Sequence, residues 1–262
     1  MLRTRLIPCL QLDDASLVKT TRFGRFGYIG DPANTCRIFN ECEVDELAIV
    51  DIRATVEGRP PNLAVLAELV DECFMPVAYG GGITSVAMAE RLLAVGIEKL
   101  IVGSAAHARP DLLSDIAAAF GTQCVIAAID VRRDWFGRHR CYARSGRSRT
   151  GRDPVEWARQ AADRGAGEIL LTDVDREGTW QGFDLGLVRD VAGAVSVPVI
   201  AHGGAGSHAD VARAVAAGAS AVALGNMVVY QKRGMGVLVN FPTEAEQRTM
   251  GLHPEAEDIE TV

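Results

Sequence analysis

The feature that most constrains the fold of this chain is a repeat between its two halves. When the first half is shifted by 122 positions, Pro76 falls on Pro198 and Gly96 falls on Gly218 without a gap. Further matched pairs are Glu46 with Glu168, Asp51 with Asp173, Gly81-Gly82 with Gly203-Gly204, Ser85 with Ser207, and Gly103 with Gly225. Chance rarely keeps glycines, a proline and acids in one register over so long a stretch. The repeat therefore predicts a structure made of two equivalent halves.

Short apolar runs alternate with amphipathic stretches along the whole chain. Eight runs are typical of strands: 6–10, 47–52, 75–80, 99–104, 124–130, 168–174, 197–203 and 221–226. The stretches between them, such as 85–96, 153–165 and 208–218, have the apolar spacing of helices. Because the runs are mostly continuous in apolar residues, they indicate parallel strands that are covered on both faces. At 262 residues this pattern favours a closed α/β barrel, a (βα)₈ TIM barrel built from two duplicated (βα)₄ half-barrels.

Composition sets limits on the domains and on the partners. We expect residues 1–242 to form a single barrel domain and the acidic residues 243–262 to form a mobile tail. The net charge of −7 argues against nonspecific nucleic-acid binding, which needs a basic surface. No apolar run approaches the roughly 20 residues that cross a bilayer, and the histidines and cysteines show no metal-ligand spacing. The sequence therefore predicts a cytoplasmic protein without a metal, another cofactor or a membrane partner.

Glycine pairs follow two predicted strands, at matching places in the two halves. Gly81-Gly82 follow the third run, and Gly203-Gly204 follow the seventh. Glycines let backbone N–H groups approach an anion closely, and barrels bind ligands at the carboxyl ends of their strands. The loops after the next strand of each half would complete the two sites with Ser104, and with Gly225 and Asn226. The repeat predicts two phosphate sites across one mouth; the alternative is that the glycines only allow tight turns.

Gln11 and Asp130 stand at the ends of the first and fifth predicted strands, which are repeat mates. Two carboxylates facing each other between two phosphates could act as a general acid and base. Here one of the two is an amide, which has no proton to exchange near neutral pH. The pattern therefore predicts a catalytic role for Asp130, with Gln11 beside it as a residue that holds the substrate.

Three more polar residues are candidates for the same mouth. Lys19 follows the first strand, in what the sequence indicates is a long loop, and it could close over a phosphate or remain a solvated lysine. Thr172 lies at the end of the sixth run, and Glu177 lies in a segment, 173–182, with the composition of a mobile acid-bearing loop.

Eight motifs spread along the chain carry a family resemblance. They are "RLIPCL" (5–10), "GDP" (30–32), "DELAIVDI" (45–52), "PVAYGGGI" (76–83), "AIDV" (128–131), "TGRDPVEWA" (150–158), "GAGEILLTDVDREGT" (165–179) and "PVIAHGGAG" (198–206). Together they resemble the HisF family, the cyclase subunit of imidazole glycerol phosphate synthase, over about residues 1–230. The resemblance implies a barrel that forms a heterodimer with a HisH-type glutaminase. Ammonia would pass through the barrel to a bis-phosphate substrate at its other end.

The motifs depart from the family pattern at the substrate end. The resemblance places the family's acid and base at Gln11 and Asp130, so that only Asp130 is retained. The family's asparagine after the fourth strand is Gly103 here, its aspartate in the sixth loop is Glu177, and its serine before the second glycine pair is His202. The resemblance therefore implies that the chemistry or the substrate has changed.

The resemblance also extends to the opposite end of the barrel. Four charged residues immediately before or at the start of strands match the family's charged gate: Arg5, Glu46, Lys99 and Glu168. Ion pairs around a narrow hole must part for ammonia to pass, whereas the alternative is a plug that only adds stability. Exposed ion pairs stabilise by only about 0–1 kcal/mol. The match of all four positions favours the gate.

These features leave several functions open. The altered mouth and the segment 228–242 resemble a HisF-like subgroup of surface-polysaccharide clusters. In that subgroup the barrel and its glutaminase would supply ammonia to a sugar amidotransferase that acts on a glycan sugar. One alternative is a working cyclase subunit in histidine biosynthesis. A second is a conduit for ammonia that activates the glutaminase without catalysis of its own, and a phosphoribosyl-sugar isomerase ranks below both.

Overall fold

Eight parallel strands form a closed barrel at the centre of the computed structural model, which describes residues 3–252. Numbered along the chain with all other strands, they are β1 (Arg5–Asp13), β4 (Leu47–Asp51), β5 (Val77–Gly80), β6 (Lys99–Val102), β7 (Val125–Arg133), β10 (Glu168–Asp173), β11 (Val199–His202) and β12 (Ala221–Leu224). Each strand pairs in parallel with the next, and β12 pairs with β1, so that the sheet closes. The predicted (βα)₈ barrel is confirmed.

Helices surround the barrel. They are α1 (Pro32–Glu41), α2 (Ala54–Glu57), α3 (Leu63–Asp71), α4 (Val86–Ala94), α5 (Ser104–Ala108), α6 (Asp111–Phe120), α7 (Pro154–Asp163), α8 (Leu185–Ala192), α9 (His208–Ala216), α10 (Asn226–Val229) and α11 (Glu244–Thr249). The repeat mates Ser85 and Ser207 cap the amino ends of α4 and α9, and each side chain accepts a hydrogen bond from a backbone N–H in the first turn. The two halves thus share helix signals as well as strands.

Two antiparallel extensions interrupt the alternation of strand and helix. β2 (Ser16–Thr20) and β3 (Phe26–Gly30) follow β1, and β8 (His139–Ala143) and β9 (Ser148–Arg149) follow its repeat mate β7. The prediction that Lys19 lies in a long loop is wrong. Lys19 lies in β2, where backbone pairing with β3 holds it, and it is only 5% exposed.

Apolar side chains, mainly small or β-branched ones, face the interior of the barrel. Those that pack together there are Ile7, Cys9, Ala48, Ala78, Ile101, Ile126, Leu170, Ile200, Ala221 and Ala223. They occupy alternate positions of their strands, because successive residues of a strand face opposite sides of the sheet. A second and larger core lies between the outer face of the barrel and the helices, where Trp157 and Phe39 are fully buried.

The segment after residue 242, which the sequence predicts to be a mobile tail, is described as far as Leu252. The Thr243 side chain caps α11, and Met250 and Leu252 are buried in the outer core. The Thr4 N–H donates to the Leu252 carbonyl oxygen at 3.0 Å. Packing therefore continues to Leu252, and the rest of the predicted tail, 253–262, lies outside the described residues. No helix within residues 3–252 has the length and apolar character of a membrane span.

Candidate active site at the barrel mouth

A cavity of about 130 Å³ lies at the carboxyl ends of the barrel strands, and we call it the mouth cavity. Gln11, Asp130, Thr172 and His202 line it, and the side chains of Cys9, Ile101 and Leu170 are among its apolar lining residues. Phe23 and Phe26, from the turn and strand after β2, also contact it. The structure thus brings the two predicted catalytic residues together in one cavity. Their chemical roles stay predictions.

The Asp130 carboxyl is the group in this cavity best suited to proton transfer. No hydrogen bond to its side chain occurs within residues 3–252. Burial raises the pKa of Asp130 to about 7, and the nearby Arg132 charge offsets only part of this effect. A carboxyl group with a pKa near the working pH can both take up and release a proton, as a general acid or base must.

The Gln11 amide is fixed on both sides. Its oxygen accepts a hydrogen bond from the Thr20 N–H at 2.9 Å, and its nitrogen donates to Glu177 Oε1 at 3.3 Å. Gln11 is only 3% exposed. The amide therefore joins β1 to β2 and to the loop after β10, and a carboxylate in the same place would face the charge of Glu177.

Glu177 is the buried anchor of the loop after β10. Its carboxylate accepts from Lys19 Nζ, from Thr20 Oγ1 at 2.9 Å and from the Phe23 N–H at 3.2 Å. Burial would raise the pKa of Glu177, but the Lys19 charge and these donors lower it below its usual value. Glu177 is therefore held in a buried ion pair, whereas the composition of the segment 173–182 predicts a mobile loop.

The second glycine pair lies in a small pocket together with the other residues predicted for it. Lys19, Gly203, Gly204, Gly225 and Asn226 line this pocket, which we call the second cradle, along with Glu177 and His202. Any side chain at position 225 would crowd Lys19, whose Cε would lie 2.8 Å from an added Cβ. The glycine thus admits an ammonium group beside backbone N–H groups, a combination that suits phosphate.

The first glycine pair has a different environment. The Gly82 N–H donates to Thr55 Oγ1 at 3.2 Å, and Ser104 Oγ accepts from the Arg144 N–H at 2.7 Å. Gly81 has a φ of +122°, and an added Cβ would lie 2.6 Å from the Asp51 carbonyl oxygen. The structure brings Gly81, Gly82 and Ser104, the first cradle, to the same mouth. Two of their polar groups are already bonded within the chain.

His202 contacts both the mouth cavity and the second cradle. Its Nδ1 lies 3.2 Å from Thr172 Oγ1 on the neighbouring strand β10. Burial lowers the pKa of His202 to about 4, so that its ring is neutral at neutral pH. The sequence indicates His202, Thr20 and the segment around Phe23 only as departures from the family at the substrate end, and it predicts no role in the site for them. No local pattern could have placed Thr20 and Phe23, because they reach the site through the fold of the β2–β3 hairpin.

The four predicted gate residues form a closed ring at the amino ends of the strands. Arg5 pairs with Glu46 at 2.5 Å and with Glu168, and Lys99 pairs with both acids at 2.7 Å. Burial tends to raise the pKa of Glu168, but the two cations lower it overall. Above this charged ring the interior side chains are apolar, and three of them, Cys9, Ile101 and Leu170, also line the mouth cavity. The passage of ammonia through the ring stays a prediction.

Comparison with known proteins agrees with the geometry. A family model described as "Histidine biosynthesis protein" matches residues 5–233. A Pseudomonas aeruginosa protein named "Putative imidazole glycerol phosphate synthase subunit hisF2" is 44% identical over 243 residues, which cover 92% of this chain and 97% of that protein. The Caulobacter vibrioides protein named "Imidazole glycerol phosphate synthase subunit HisF" is 45% identical over 226 residues, 86% of each chain. A Leptospira borgpetersenii protein, "Putative imidazole glycerol phosphate synthase subunit HisF", is 38% identical over 252 residues, 95% of this chain and 99% of its own.

Proposed function

Because this chain belongs to the HisF family of histidine biosynthesis proteins, we propose that it is the synthase subunit of a glutamine amidotransferase. It receives ammonia from a HisH-type glutaminase bound at the amino end of the barrel. The observation that carries this proposal is the alignment of the charged ring, the apolar interior and Asp130 along one barrel. An apolar interior suits neutral ammonia and disfavours the ammonium ion, whose desolvation is costly.

The charged ring supports a gate because its four members are matched in charge and partly buried. Glu46 and Glu168 each contact both cations, so that no acid or base of the ring lacks a partner when it is closed. If one cation is displaced, each of the two acids stays paired with the remaining cation. A ring of this kind can open for a small neutral molecule without exposing an isolated buried charge.

The test of this proposal compares two nitrogen sources. The chain is combined with a HisH-type glutaminase, and product formation from the family's bis-phosphate substrate is measured with glutamine or with an ammonium salt. We expect Lys99→Met to reduce glutamine-dependent synthesis relative to glutamine hydrolysis, and to leave ammonium-dependent synthesis unchanged. Arg37→Gln, which removes an exposed ion pair with Glu72, is the matched control. Unchanged coupling in Lys99→Met contradicts the gate.

At the mouth, the proposed chemistry is of the cyclase type. Asp130 takes up and releases the proton, and Lys19 with the second cradle holds one phosphate group of the substrate. The first cradle holds the other phosphate group through Gly81, Gly82 and Ser104. Growth of a histidine auxotroph that lacks its own cyclase subunit, when it carries this chain, would support catalysis by Asp130 without a second acid.

One set of observations favours a second candidate, in which the barrel mainly conducts ammonia and activates the glutaminase. Gln11 is held by hydrogen bonds at both its oxygen and its nitrogen, and large apolar side chains are exposed on β3 and on loops at the mouth end: Tyr28, Trp135, Phe136 and Leu238. Such side chains suit a protein partner at the mouth, such as a sugar amidotransferase that modifies a surface-glycan sugar. Glutaminase stimulation by sugar nucleotides, together with failure to rescue the auxotroph, would favour this variant. Stimulation by bis-phosphate compounds alone would count against it.

A further inference from the structure

Two cysteines from neighbouring helices contact each other on the outside of the barrel. Cys36 lies in α1 and is fully buried in the outer core, and Cys73 follows α3 and is partly exposed. Their thiol groups lie within hydrogen-bond reach of each other. Only residues 74–76 separate Cys73 from the start of β5. The cysteine pair therefore lies toward the amino ends of the strands, away from the candidate active site.

Contacts on both sides hold the two cysteines together. The residue after the first cysteine, Arg37, donates two hydrogen bonds to the residue before the second, Glu72, at 2.8 and 2.9 Å. The residue after the second cysteine, Phe74, donates its N–H to Asn40 Oδ1 in α1 at 2.9 Å. The two backbone segments that carry the thiols are thus joined at two places beside them. Such proximity is what a disulfide requires.

The two thiols differ in their reactivity. A hydrogen bond from the Cys36 thiol lowers the pKa of Cys73, and this effect exceeds the opposing effects of burial and of the Glu72 charge. The same contact, together with burial, raises the pKa of Cys36. Cys73 is therefore the thiol that ionises first and that reagents can reach, and Cys36 stays protonated beside it. An accessible thiolate next to a second thiol is typical of redox-sensitive sites.

The other cysteines lack this combination. Cys9 and Cys141 are buried, whereas Cys42 is exposed and Cys124 is partly exposed. Within residues 3–252, neither Cys42 nor Cys124 has a hydrogen bond to a second thiol. These two accessible cysteines are therefore internal controls for general thiol oxidation.

We propose that Cys36 and Cys73 form a reversible disulfide when the chain meets hydrogen peroxide. The Cys73 thiolate attacks one peroxide oxygen, so that an S–O bond forms and the O–O bond breaks to release hydroxide. The Cys36 sulfur then attacks the Cys73 sulfur, the S–O bond breaks, and the Cys36 proton leaves with that oxygen as water. The two sulfurs are oxidised by two electrons, and the peroxide is reduced. A thiol reductant reverses the link by exchange.

The disulfide would tie α1 to α3 and close a loop that contains β4 and α2. A link that closes a long loop stabilises the fold mainly by restricting the unfolded chain. We therefore expect the midpoint of urea unfolding to rise after oxidation and to fall back after reduction.

Peptide mapping of the full chain tests the link directly. The reduced chain is treated with hydrogen peroxide, unfolded in urea, alkylated at its remaining thiols and digested with trypsin. Trypsin cuts after Arg37 and Arg53, so that Cys36, Cys42 and Cys73 lie on three different peptides. We expect a cross-linked pair of peptides that carries Cys36 and Cys73 and separates on reduction with dithiothreitol. The thiol count of the chain should fall from six to four.

Variants separate the two steps. Cys36→Ala should leave Cys73 as a sulfenic acid, which dimedone captures, and should abolish the rise in the urea midpoint. Cys73→Ala should leave Cys36 reduced. Cys42→Ala, which removes the exposed thiol at the end of α1, is the matched control and should form the same cross-link as the wild type.

Two results would overturn the inference. One is a wild-type chain in which Cys36 and Cys73 stay reduced after peroxide treatment, and the other is a cross-link that involves Cys42 or Cys124 instead. Both are measured on the wild type, so that a variant that fails to fold cannot imitate them. Neither measurement uses a glutaminase or a substrate, and the inference does not depend on the proposed function.

Discussion

Replacing Gln11 by glutamate would place two buried carboxylates against each other at the mouth. Gln11 Nε2 lies 3.3 Å from Glu177 Oε1, and an oxygen in its place would face a like charge. Two unit charges at 3.3 Å repel by about 5 kcal/mol at an effective dielectric constant of about 20. Protonating one of the two carboxylates removes this repulsion. The free energy needed for that protonation is therefore the upper limit of the destabilisation.

That limit depends on pH in a defined direction. Keeping a glutamic acid protonated costs about 1.4 kcal/mol for each pH unit above a pKa of about 4.3. The expected loss in the free energy of unfolding for Gln11→Glu is therefore about 3–4 kcal/mol at pH 7 and about 1 kcal/mol at pH 5. The sign follows because the folded variant binds one proton more than its unfolded chain, so that its stability falls as the pH rises.

Equilibrium urea unfolding of the wild type and of Gln11→Glu, at pH 5 and pH 7, measures this difference. Gln11→Met, which adds no charge at this contact, is the control, and its loss of stability should change much less with pH. A loss in Gln11→Glu that is the same at both pH values would refute the argument.

Three further outcomes are expected. Asp130→Asn should lower any turnover at the mouth by about 10²–10⁴-fold. It should also remove an inflection near pH 7 from the pH–rate profile, because burial raises the pKa of Asp130 to about 7. An unchanged profile would assign the proton transfer to another group. Lys19→Met should destabilise the fold by about 3–5 kcal/mol, and more at pH 8 than at pH 5, because the pKa of Glu177 would rise without the ammonium group; urea unfolding at both pH values checks this. Gly204→Ala should lower Tm by several degrees, because Gly204 has a φ of +110° and an added Cβ would lie 2.2 Å from the Gly182 carbonyl oxygen. The control Gly236→Ala should have little effect, because no atom lies within 4 Å of a Cβ added there.

The barrel could be predicted from the sequence because its signals are local and occur twice. Each strand is a short apolar run, and the register of the two halves repeats the glycines at the strand ends. The β2–β3 hairpin could not be predicted in this way. Residues 26–28 of β3 are exposed and have no alternating apolar pattern, so that only their pairing with β2 identifies them as a strand. The wrong placement of Lys19 follows directly from this.

The site was predictable where a residue's position along a strand decides its place in the barrel. Asp130 and the two glycine pairs follow this rule, as do the four members of the charged ring. The contact between Gln11 and Glu177 does not, because 166 positions separate the two residues.

The Glu177 carboxylate has a consequence for how the mouth moves. It accepts hydrogen bonds from Gln11 on β1, from Lys19 and Thr20 on β2, and from the Phe23 N–H in the following turn. The β2–β3 hairpin and the loop after β10, which are far apart along the chain, are thereby held together at one carboxylate. Any movement of the loop after β10 away from the β2–β3 hairpin would have to break this buried ion pair. An incoming anion that draws Lys19 away from Glu177 would therefore weaken the hold on both segments together.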